Sequence, residues 1–152
     1  MYNPDDGYPR VVPELVYRDL AAALDWLCAV FGFRETLRHT RDDGRVDHAE
    51  LDTGGGGVVM LTTAGDRLRS PHGDPRVCAK VIVLVDDVDR HFAAVTGAGV
   101  ETLHEPTDKP WGLRQYLVHD REGHLWEFSQ HVREVPPRDW GAQARPERGA
   151  AA

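Results

Sequence analysis

The sequence predicts an α+β protein in which two βαβββ modules form a cupped, mixed β-sheet with the helices outside, and three observations predict it. First, Leu15-Val16-Tyr17-Arg18-Asp19-Leu20 recurs as Val83-Leu84-Val85-Asp86-Asp87-Val88, an apolar strand ending in Asp and an aliphatic residue, with Asp19 and Asp87 68 positions apart. Second, each copy runs into an amphipathic helical stripe that closes at a glycine. Third, three strand-like runs separated by turn residues follow each stripe.

Each element has a local cause. In the first helix Leu20, Leu24, Leu27 and Phe31 recur at steps of four, three and four, which puts them on one face; in the second, Val88, Phe92 and Val95 do the same. Asp19 and Asp87 stand just before these stripes, where a short carboxylate accepts from the free N–H groups of the first turn. Gly32 and Gly99 end the stripes, where a left-handed residue closes the last turn without a Cβ penalty. The strands expected after the first helix span 33–40, 47–53 and 58–62, with Asp43-Gly44 as a turn. Those after the second span 100–104, 114–119 and 124–130, the last two joined by Asp120-Arg121-Glu122-Gly123. One such module cannot hide both faces of its sheet, so two are expected to pair around a hollow. The expected division is an N-terminal arm (1–9), a domain over 10–132 with modules at about 10–63 and 76–132, and a tail (133–152) whose anchor is Trp140.

Charge and composition exclude several functions. A net charge of −7 repels a phosphate backbone, so nucleic acid is not an expected partner. No apolar run approaches the roughly 20 residues of a membrane span, so no membrane is expected. The first ten residues have Asp5 and Asp6 where an export signal needs a basic start and an apolar stretch, which points to the cytoplasm. Cys28 and Cys78 lack metal-ligand spacing and are read as reduced, buried thiols.

Pro13-Glu14-Leu15-Val16-Tyr17-Arg18-Asp19, Gly57-Val58-Val59-Met60-Leu61, the second strand repeat and Asp120-Arg121-Glu122-Gly123-His124-Leu125-Trp126-Glu127-Phe128 resemble glyoxalase-like members of the glyoxalase/bleomycin resistance/extradiol dioxygenase (vicinal oxygen chelate) superfamily. The resemblance covers about residues 10–132 and includes Pro110-Trp111-Gly112-Leu113-Arg114. It implies a small-molecule ligand and a homodimer. Metal-dependent members place His, Gln or Glu on the first, fourth, fifth and eighth strands, positions that fall here on Val12, Met60 (or Leu61), Lys80 and Glu127. One carboxylate cannot supply the donors of a divalent ion, so no metal and no other cofactor are expected.

Strand alternation assigns the remaining candidates. Lys80 and Glu127 point into the cup and either pair there or separate, Lys80 to solvent and Glu127 to another donor. With Ala49 and Leu51 on the helix side, His48 and Glu50 turn inward beside Glu14. His48 and Glu50 are the candidate general acid/base pair; the same residues also fit a hydrogen-bonded histidine on a polar sheet face. Trp111, Arg114 and Tyr116 are assigned to a planar or anionic ligand, Trp111 alternatively to anchoring its loop, whereas Trp126 and Phe128 face the helix. The run Gly54–Gly57 lacks the Lys and Ser/Thr of a phosphate loop, and neither Ser70 nor Ser129 sits in a nucleophile elbow.

The expected function is metal-free binding of a small molecule, in the manner of antibiotic or metabolite sequestration, with Glu14, His48, Glu50, Lys80, Trp111, Arg114, Tyr116 and Glu127 as the contacts. The alternatives are a lyase, isomerase or dioxygenase-type enzyme of the same superfamily, and a protein-interaction module.

Overall fold

A computed structural model describes residues 3–74 and 76–143. The first module contains β1 (Glu14–Tyr17), α1 (Leu20–Phe31), β2 (Arg34–Thr40), β3 (Val46–Gly54) and β4 (Gly57–Thr63). The second contains β5 (Lys80–Leu84), α2 (Val88–Gly97), β6 (Thr107–Asp108), β7 (Leu113–His119) and β8 (Leu125–His131). The strand orders are β1-β4-β3-β2 and β5-β8-β7-β6. In each sheet the first and last strands of the module pair in parallel, because the helix carries the chain across before the remaining strands return as antiparallel hairpins.

The caps form as the sequence predicts. Asp19 accepts from the Ala22 N–H at 3.1 Å and Asp87 from the Arg90 N–H at 2.9 Å. Gly32 closes α1 with φ +74°. Each helix covers one face of its own sheet and leaves the other face free of helix. The stripe Leu20, Leu24, Leu27 and Phe31 is buried with Ala49, Leu51, Val59 and Leu61, and Val88 and Val95 are buried with Tyr116, Val118 and Phe128. Phe31 reaches beyond its own module, its ring lying edge-on to Trp126 at 5.5 Å and to Phe128 at 4.9 Å. The two modules therefore share one core, and these aromatic contacts add to the area they bury.

A polar seam joins the modules as well. Tyr17 donates its hydroxyl to Asp120 Oδ2 at 2.6 Å, and Trp126 Nε1–H donates to the same oxygen at 3.1 Å. Burial first, and then the charge of Asp120, push the Tyr17 hydroxyl well above its ordinary pKa. Glu122, in the same turn, accepts from the Arg18 and Asp19 N–H groups and from the Ser70 hydroxyl. Burial alone would raise its pKa, but these donors outweigh burial and hold it below the usual carboxylate value. On the opposite side, His91 Nε2–H donates to the Phe31 carbonyl at 3.1 Å, so Nδ1 accepts from the Tyr116 hydroxyl at 2.8 Å. Burial lowers the pKa of His91.

Two expectations are corrected. Residues 100–104 do not form a strand: Thr102 makes one isolated bridge to Val118, and the sixth strand is the pair Thr107–Asp108. Pro106 has no N–H and interrupts the ladder between them. Cys78 is exposed, since it lies in the connection before β5 and not within the strand.

Candidate functional site

The helix-free face of the first sheet carries an acidic cluster. Ala49 and Leu51 are buried under α1, which sends His48 and Glu50 to the other face. Register places Met60 between Glu14 and Glu50, and Thr62 between Val16 and His48. His48 Nδ1 lies 3.9 Å from Glu14 Oε1, and His48 Nε2 lies 3.7 Å from Glu50 Oε1. The structure thus brings Glu14, His48 and Glu50 together, at separations longer than hydrogen bonds. Glu50 is 5% exposed; Tyr8 of the N-terminal arm donates its hydroxyl to Oε2 at 3.4 Å, and Oε1 has no hydrogen-bond partner among the described residues.

The helix-free face of the second sheet carries a polar track. Lys80 Nζ donates to Glu127 Oε2, and Ser129 donates its hydroxyl to Glu127 Oε1 at 3.0 Å. Glu127 is 3% exposed. Its row in the sheet is Ile82, Glu127, Leu117; the next is Leu84, Ser129, Gln115, Thr107. Gln115 Oε1 is buried and without a hydrogen-bond partner among the described residues. Ile82 and Leu84 are exposed on the edge strand, so apolar surface borders the polar track.

A cavity of about 270 Å³ lies between β1 and β5, lined by Glu14, Leu15, Lys80, Val81 and Leu125 together with residues of the inter-module connection. At the positions where a divalent ion would be held, Val12 precedes β1, Met60 lies on β4, and Glu127 is bonded to the Lys80 ammonium. This donor set does not fit an ion, because the one carboxylate among the four positions already receives a cation, and Val12, Met60 and Lys80 offer no oxygen or imidazole side-chain donor. Among the described residues no group of three or more His, Cys, Asp or Glu side chains is arranged to hold one.

Three of the sequence-assigned residues lie elsewhere. Arg114 sits on the helix-bearing side and is bound to Asp89, in the first turn of α2, at 2.9 Å and to Asp108 at 3.0 Å. Tyr116 is fully buried in the core, and burial drives its hydroxyl pKa upward. The cause lies in register: the Asp120–Gly123 turn pairs Tyr116 with Phe128, and cross-strand partners share a face. Gln115, one residue along, takes the helix-free face in its place. Trp111 is half-exposed at the loop before β7, its ring 6.1 Å from and steeply inclined to that of Trp140 in the tail. Of the residues the sequence reading left unassigned, Gln115 and Ser129 could have been found from that hairpin register, whereas Tyr8 gave no local signal.

Residues 9–128 match the family described as Glyoxalase/Bleomycin resistance protein/Dioxygenase superfamily. The chain is similar to TioX from Micromonospora sp. ML1, at 49% identity over 82% of this chain and 99% of that one, with a TM-score of 0.68. It is also similar to TnmS3, an antibiotic binding protein from Streptomyces sp. CB03234, at 20% identity over 80% of this chain and 93% of the other, with a TM-score of 0.63. A Mycobacterium tuberculosis protein, Rv0887c, is 31% identical over 84% of this chain and 77% of its own length.

Proposed function

The chain belongs to the glyoxalase/bleomycin resistance protein/dioxygenase superfamily, and from that premise we propose that it is a metal-free protein that sequesters a small molecule, an antibiotic or a metabolite, on the helix-free faces of its sheets. The observation that carries this reading is the bond from Lys80 to Glu127. An ammonium stands where a chelating member of the family needs a ligand, so the site offers hydrogen bonds and charge without a Lewis acid. Around that pair lie exposed Ile82 and Leu84 and the unmatched Gln115 carbonyl oxygen, a mixture of apolar wall and a few convergent polar groups that suits a small organic molecule. TnmS3 is an antibiotic-binding protein on the same fold. The exposed apolar residues of edge strand β5 suit a second copy of the chain, which supports the homodimer.

A second reading, acid/base isomerisation, is favoured by the place of His48 between two carboxylates. One experiment separates the two. The protein is screened by thermal shift against aromatic natural-product antibiotics in the presence of a chelator, and each stabilising compound is recovered and analysed by chromatography. Sequestration predicts stabilisation of about 2.7 kcal/mol at a hundred-fold excess over Kd, a rise of several degrees, with the compound returned unchanged. Conversion of the compound, or stabilisation that requires a divalent ion, contradicts it.

A further inference from the structure

The N-terminal arm has no part in the reading above, yet it lies over the cluster of the first sheet. A 3-10 turn at Pro4–Asp6, capped by Asn3 and closed by Gly7 at φ +88°, brings Tyr8 and Pro9 across the helix-free face. Beneath the arm is a cleft of about 380 Å³ whose floor includes Thr36, Glu50, Asp52 and Val58. That volume falls within the range of small-molecule sites, about 300–1,000 Å³.

The charges in this cleft are unevenly matched. Asp52 has its partners, since Oδ2 accepts from Arg34 at 2.7 Å and Oδ1 from the Gly54 N–H at 2.8 Å. Glu50 is more deeply buried and less well served: Oε2 receives one long bond from Tyr8, and Oε1 receives none among the described residues. His48 Nε2, at 3.7 Å, is beyond hydrogen-bond range of Oε1. A buried carboxylate oxygen without a donor is costly, and a charged N–H group that reaches it gains a strong bond.

We propose that this cleft takes an organic cation with N–H donors on a small apolar body, an amidinium, guanidinium or primary ammonium, which Glu50 Oε1 receives while Tyr8, Pro9 and Val58 enclose the apolar part. The proposal deepens the sequestration reading and rests on its premise that the helix-free faces bind small molecules. Tyr8 occupies part of the acceptor's capacity in the unliganded protein, and a planar cation that bridges both Glu50 oxygens displaces its hydroxyl.

The test uses benzamidine, with neutral benzamide as the isostere, titrated into the full chain and followed by calorimetry and by amide NMR. Benzamidine is expected to bind at least about ten-fold more tightly than benzamide, as a single charge-assisted hydrogen bond provides. The amides of Tyr8, Gly57 and Val58 are expected to shift. Glu50→Gln is expected to lose about ten-fold in benzamidine affinity, and Tyr8→Phe, which removes the competing hydroxyl, to keep or tighten it. Equal binding of the two probes, shifts confined to other regions, or an unchanged Kd in folded Glu50→Gln overturns the proposal. Should Glu50→Gln fail to fold, the probe pair, the shift map and Tyr8→Phe decide without it. An antibiotic from the thermal screen that binds Glu50→Gln as well as the parent protein overturns this site and leaves sequestration standing. A screen without hits, together with benzamidine bound at Glu50, does the reverse.

Discussion

Asp120 serves two purposes at once. One oxygen accepts from the N–H groups of Glu122, Gly123 and His124 and so closes its own turn; the other accepts from Tyr17 and Trp126, one from each module. Tyr17→Phe therefore removes a buried bond between modules and leaves the carboxylate oxygen under-served. The expected cost is about 1–3 kcal/mol, read as a lower midpoint in urea denaturation with an unchanged slope; an unchanged midpoint contradicts this account of the seam. At this scale the sequence was informative wherever alternation had an unambiguous apolar partner. Ala49 and Leu51 fixed His48 and Glu50, and Trp126 and Phe128 fixed Glu127. It misled at Arg114 and Tyr116, which loop proximity assigned to the ligand although the hairpin register turns Tyr116 toward Phe128.

Among elements, two of the groups that make the protein sensitive to acid tie α1 to its neighbours. The β7–β8 turn holds the start of α1 through Glu122, whose carboxylate has a lowered pKa. Its unfolded value is about 4.3, so the stability it contributes is present above that pH and is lost as pH falls through the lower folded value. α2 holds the end of α1 through neutral His91, whose lowered pKa means that the unfolded chain takes the proton first, near pH 6.5. Stability should thus begin to fall below about pH 6.5 and fall again below about pH 4.3. Chemical denaturation across that range checks this. His91→Gln should make the upper limb shallower and Glu122→Gln the lower one, to which Asp43, Asp47 and Asp52 also contribute, and a profile unaffected by either contradicts these assignments. Helix bounds and caps were legible because Asp and Gly act locally on the backbone. The sixth strand was not, because whether 100–104 or 107–108 pairs with β7 depends on where Pro106 breaks the ladder.

For the whole molecule, the internal repeat made the two-module fold readable from one chain, since each copy carries its own strand, cap, stripe and turn signals. What joins the copies was less visible. Tyr17 and Asp120, or Phe31 and Trp126, lie far apart in the chain and show no mutual pattern in a single sequence. The same holds for Tyr8 above Glu50. The candidate site was thus half legible: strand alternation supplied its floor, and the seating of Tyr8 over Glu50 came only with the fold. The proposed metal-free binding rests on Lys80 and Glu127, which stand on different strands and meet only when β5 lies beside β8.

The account depends most on that pair filling the place of an ion. Native mass spectrometry of the purified chain, before and after incubation with Zn²⁺, Mn²⁺ and Ni²⁺ and removal of the excess, tests it directly. The account predicts a mass free of metal in every sample, for the single chain and for the dimer alike. A stoichiometric divalent adduct that disappears in Glu127→Gln would contradict it.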